Sequence, residues 1–90
     1  MKKQAHIYYS GRVQGVGFRF TAQDLANDLG IRGWVKNLRD DRVEIIAEAE
    51  ETVLKDFLAK IKQNFSHYIQ DIDIEWQPAT GRFKDFQIRF

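Results

Sequence analysis

Along this chain the spacing of apolar residues switches between a period of two and one of about 3.6, twice over, and few folds accommodate that order. Ala5, Ile7 and Tyr9 alternate with His6 and Tyr8, which predicts a first strand. After a glycine-rich interruption, Ala22, Leu25, Ala26 and Leu29 fall at i, i+3, i+4 and i+7, the stripe of an amphipathic helix. This helix runs from about residue 19 to residue 29, with Gly30 as its stop. Residues 33–38 and 42–48 read as two strands, and the Arg39-Asp40-Asp41 between them suits an antiparallel hairpin. Glu50, Glu51 and Thr52 then place negative charge and a candidate cap ahead of Val53, Leu54, Phe57, Leu58, Ile61 and Phe65, the face of a second helix. Ile72, Ile74 and Trp76 alternate with Asp71, Asp73 and Glu75; beyond a turn near Pro78 and Gly81, Phe86, Ile88 and Phe90 alternate with Gln87 and Arg89. Two strands therefore close the chain.

The order β-α-β-β-α-β, with one extra C-terminal strand, predicts an α+β fold of the ferredoxin-like sandwich type: an antiparallel sheet of four to five strands with two helices on one face. Ninety residues leave room for one domain, residues 1–90, and no repeat or linker interrupts them. Trp34, Phe57, Phe65, Trp76, Phe86 and Phe90 are expected in the core. This fold hosts enzymes, RNA binders, metal chaperones and ligand sensors, so the site must decide the function.

Composition removes several classes. There is no cysteine, which excludes disulfides, thiolate nucleophiles, redox pairs and cysteine-based metal sites, and with them a copper chaperone. The net charge of +1, from 14 basic and 13 acidic residues, lacks the basic excess of a dedicated nucleic-acid binder, so any anion site must be local. Lys2 and Lys3 precede no apolar run long enough for a signal peptide, and no stretch approaches the roughly 20 apolar residues of a membrane span. A cytoplasmic protein, with no membrane and no nucleic-acid partner, is the expectation. His6 and His67 sit in different elements and read as surface or sheet-edge packing, and Asp71, Asp73 and Glu75 as a solvated strand face.

The chemistry gathers at the glycine-rich interruption. Gly11, Gly15 and Gly17 lie within seven residues between a strand and a helix, where they let the backbone approach a ligand and turn several N–H groups one way. The helix that follows adds unsatisfied N–H groups and the positive end of its dipole, and Arg19 in its first turn can lay a planar guanidinium across two phosphate oxygens. The spacing matches neither the Walker pattern nor the dinucleotide fingerprint. On the residues alone, the segment is an anion cradle or a tight turn.

Ser10-Gly11-Arg12-Val13-Gln14-Gly15-Val16-Gly17-Phe18-Arg19 resembles the signature of the acylphosphatase family, and Gly33-Trp34-Val35-Lys36-Asn37-Leu38, followed by Val43-Glu44-Ile45 and Ala47-Glu48, resembles its second motif. Phe86-Gln87-Ile88-Arg89-Phe90 resembles the family's last strand, so the likeness spans the chain. The resemblance implies a ferredoxin-like sandwich that hydrolyses carboxyl-phosphate anhydrides with no metal or cofactor. It also implies a phosphate held by the loop of residues 11–19 (Gly11, Arg12, Val13, Gln14, Gly15, Val16, Gly17, Phe18 and Arg19) and a nucleophilic water placed by Asn37. The partners implied are a small-molecule acyl phosphate and inorganic phosphate, and a monomer is expected. Two positions depart from the pattern: Asp40-Asp41 stands where Asp-Gly is common, and Ala49 where Gly often follows Ala-Glu.

The chemistry agrees with that transfer. A carboxylate leaving group departs at neutral pH without a general acid, and phosphoryl transfer through a loose transition state depends on positioning and on spreading charge, which an arginine and a row of N–H groups provide. Two rivals come from other classes. An RNA-recognition module shares the element order but needs aromatic residues in its third strand, and Arg42-Val43-Glu44-Ile45-Ile46-Ala47-Glu48 has none. A silent anion-binding domain would keep the cradle but has no need of Asn37.

Overall fold

The computed structural model describes residues 1–90. Seven elements follow the expected order: β1 (Lys2–Gly11), α1 (Phe18–Leu29), β2 (Arg32–Asn37), β3 (Val43–Glu50), α2 (Glu51–Asn64), β4 (Ile69–Pro78) and β5 (Phe86–Arg89). The strands form one sheet in the order β4-β1-β3-β2-β5. β1 pairs antiparallel with β3 and β4, and β2 antiparallel with β3, as expected of a ferredoxin-like sandwich. β5 differs, joining β2 in parallel and making the sheet mixed. Its direction follows from its path: residues 79–85 carry the chain from one edge of the sheet across to the other.

Both helices pack on one face. Ala5, Ile7 and Tyr9 of β1, Val35 of β2 and Val43, Ile45 and Ala47 of β3 are fully buried beneath Phe18, Ala22 and Ala26 of α1 and Leu54, Phe57 and Ile61 of α2. Phe18 joins the core at the first residue of α1, with ring centroids 5.0 Å from Tyr9 and 4.6 Å from Phe65. Removing such a buried ring typically costs about 3–5 kcal/mol, so the start of α1 is fixed in place. The cap expected at Thr52 does not form, because Thr52 lies inside α2; Glu51 supplies the negative charge of the first turn instead.

Three of the six aromatics expected in the core lie outside it. Trp34 occupies the open face of the sheet, where the Arg89 guanidinium stacks on it at 4.7 Å. Trp76 is opposite Ala5, on the helix-facing side, but β4 is an edge strand that the helices barely contact, and the ring remains 41% exposed. Phe90 lies beyond the end of β5 and is 89% exposed. Strand alternation predicts a face, but only the helices decide how much of that face is covered. His6 stands on the interior strand β1 rather than at a sheet edge, with its Nε2 2.6 Å from Glu44 Oε2. His67, Asp71, Asp73 and Glu75 are exposed, as expected.

Candidate active site

β1 and β2 both run antiparallel to β3, which lies between them, so their C-terminal ends reach the same end of the sheet. The loop that leaves β1 and the Asn37 that ends β2 therefore meet, although Arg19 and Asn37 are 18 positions apart in sequence. They border a cavity of about 150 Å³ lined by Val13, Gly15, Gly17, Phe18, Arg19, Phe20 and Asn37. Arg19 is the only ionisable residue in that lining.

The loop is divided by the way its residues face. Val13, Gly15, Gly17, Phe18 and Arg19 line the cavity with Asn37, whereas Gly11, Arg12, Gln14 and Val16 border a separate, shallower depression beside Asp41. Gly15 and Gly17 hold φ values of 76° and 78°, the left-handed region, and a Cβ at either would meet nothing within 4 Å. Backbone strain, rather than crowding, is what requires glycine there. Gln14, expected among the phosphate-loop residues, turns away from the cavity: its Nε2 donates to the carbonyl oxygens of Leu38 at 2.7 Å and Arg42 at 3.0 Å. It ties the loop to the two strand ends of the hairpin. Arg12 anchors the other side of the loop, its N–H donating to the Tyr68 carbonyl at 2.9 Å.

Polar groups in the cavity are left available. α1 begins on Gly17 with no side-chain cap and no acidic residue in its first turn, so no protein carboxylate competes for its N-terminal N–H groups. Arg19 makes no ion pair; its guanidinium carbon lies 4.9 Å from the centroid of the Phe90 ring. Asn37 Oδ1 is buried and has no hydrogen-bond partner. A buried acceptor in that condition costs about 1–3 kcal/mol unless something donates to it, which points to a ligand or a water at this place. Phe20 was not anticipated. It falls off the apolar stripe of α1, and its position next to Arg19 was the only signal in the sequence.

Comparison with known proteins gives one answer. The acylphosphatase family model matches residues 5–88. The chain is 47% identical over 89 residues to an acylphosphatase of Methanospirillum hungatei, covering 97% of each protein. It is 38% identical over 86 residues to one of Roseiflexus sp., covering 94% of this chain and 92% of the relative. The crystal structure of acylphosphatase from Bacillus subtilis superposes with a TM-score of 0.90 at 39% identity, covering 98% of this chain and 99% of that one. With a matching family model over nearly its whole length and relatives aligned end to end, the chain belongs to the acylphosphatase family.

Proposed function

We propose that this enzyme hydrolyses acyl phosphates with the phosphoryl group held by the backbone of residues 13–19 and by Arg19, and with the attacking water oriented by Asn37. The observation that carries this assignment of roles is the convergence of Arg19, Asn37 and the left-handed Gly15 and Gly17 backbone on one small cavity. The N–H groups at the start of α1 and the guanidinium supply positive potential where the equatorial phosphoryl oxygens gain charge. Asn37 Oδ1 accepts a hydrogen bond from water and turns its lone pair toward phosphorus.

In the reaction the water oxygen bonds to phosphorus as the bond to the acyl oxygen breaks, and the carboxylate leaves with the electron pair. The water's proton passes to a phosphate oxygen. No lining residue has to act as an acid or a base, which agrees with a leaving group that needs no proton.

The test separates the two side chains. Arg19→Lys should lose both turnover and competitive inhibition by inorganic phosphate, on the order of 10²–10³ in rate, because an ammonium does not reproduce the two-pronged contact. Asn37→Ala should lose turnover while phosphate still inhibits nearly as in the wild type. Near-normal turnover in folded Arg19→Lys, or equal loss of phosphate affinity in both variants, would overturn these roles. An alkyl phosphate monoester should be a poor substrate throughout, since its alkoxide would depart unprotonated.

A further inference from the structure

The cavity has an aromatic margin that phosphate binding does not use. Four large apolar side chains stand exposed in the whole chain: Met1, Phe20, Trp76 and Phe90. Two of them flank Arg19. Phe20 is 62% exposed and lines the cavity directly, and Phe90 lies on the Arg19 guanidinium. The fold does not require either ring, because Phe18 makes the core contact at this turn of α1 and Phe86 makes it for β5. Apolar surface left in water beside a binding cavity is unfavourable until a ligand covers it. The cavity lining also carries no carboxylate and no cation besides Arg19, so nothing there would recognise a second charge on the ligand.

We infer that Phe20 is a specificity-determining residue that packs against the acyl half of the substrate and favours uncharged acyl groups with flat, apolar bulk. This rests on the phosphate-site reading above. With the phosphoryl group seated on the loop and Arg19, the acyl group must leave by the open side of the cavity, and Phe20 is the large side chain at that opening. A phenyl ring suits an aromatic acyl group through offset or edge contact, whereas a methyl group reaches little of it.

The experiment measures kcat and KM for benzoyl phosphate and for acetyl phosphate, with inhibition by inorganic phosphate, in the wild type, Phe20→Ser and Phe20→Leu. Each variant is compared with the wild type on the same substrate, so the differing reactivity of the two substrates cancels. In Phe20→Ser, KM for benzoyl phosphate should rise about five- to ten-fold and KM for acetyl phosphate less than two-fold. Phe20→Leu should fall between, since it keeps apolar bulk without the ring. A benzoyl-to-acetyl ratio that Phe20→Ser leaves unchanged would overturn the acyl contact, as would weaker phosphate inhibition matching the rise in KM. Failure of the underlying reading looks different: the wild type would cleave neither substrate, or Arg19→Lys would cleave both normally.

Discussion

At the scale of single residues, the hairpin turn between β2 and β3 holds the one non-glycine residue with positive φ, Asp41 at 73°. Its neighbour Asp40 makes the side-chain contacts, accepting from the Arg42 backbone N–H at 3.3 Å and from Arg42 Nε at 2.8 Å, while the Asp41 carboxylate makes none. A left-handed residue with a Cβ costs roughly 1–2 kcal/mol, and glycine returns part of that gain as extra entropy of the unfolded chain. Asp41→Gly should therefore stabilise the protein by about 0.5–1 kcal/mol in urea unfolding. Asp41→Ala should not stabilise it, because the Cβ remains. The departure from Asp-Gly puts Asp41 at the glycine's position, and that residue is the one with the left-handed angle. Phe20 shows the opposite limit: a residue off the helical stripe is assigned to solvent by periodicity, and only the position of the cavity gives its exposure a meaning.

At the scale of elements, the order of strands and helices was legible because each run kept its period long enough to read. The meeting of Arg19 with Asn37 was not legible from spacing; it follows from β1 and β2 pointing the same way on either side of β3. The aromatic positions were the least legible, since Trp34 falls on the open face of the sheet and coverage of Trp76 and Phe90 depends on how far the helices and β5 extend. Gln14 belongs to this scale because it joins the loop to both ends of the hairpin. The carbonyls it contacts each have another donor: Leu38 O accepts from Asp41 N–H, and Arg42 O from Leu38 N–H. Gln14→Leu should thus leave no carbonyl unpaired and cost only about 1–2 kcal/mol of stability. Turnover should suffer more, with kcat about ten-fold lower, because small misplacements of Asn37, in its proposed role of placing the water, are expensive in rate. Measuring kcat well below the variant's Tm separates the two effects, and a rate that merely tracks the folded fraction would reduce Gln14 to a stabilising contact.

At the scale of the whole molecule, the seven residues 79–85 link the two edge strands, and their path depends on one buried carboxylate. Four strand spacings make roughly 19 Å, within reach of a nearly extended segment of this length. Glu48, 7% exposed at the end of the central strand β3, holds that crossing midway. Its Oε2 accepts from Gln4 Nε2 at 2.6 Å and from the N–H and hydroxyl of Thr80 at 2.8 Å each, and its Oε1 accepts from Gly81 N–H at 3.0 Å. Burial alone would push this carboxyl up, but the donors from Thr80, Gln4 and Gly81 together outweigh it and hold the group below the ordinary glutamate value of 4.5. The direction fixes the sign of the pH dependence. A carboxyl depressed in the folded state contributes stability above 4.5, and that contribution is lost as pH falls through the lower folded value. In Glu48→Gln an amide N–H₂ replaces one acceptor oxygen and faces a donor, which should cost about 1–3 kcal/mol at neutral pH. Urea unfolding of both proteins from pH 7 to pH 3 should show the gap between them narrowing below 4.5, as wild-type Glu48 takes up its proton. Because β5 runs parallel to β2 and delivers Phe90 to Arg19, the same variant should loosen the C-terminal ring at the cavity although Glu48 sits at the far end of the sheet. A constant gap across the whole pH range would show that the carboxylate's charge does not hold the crossing.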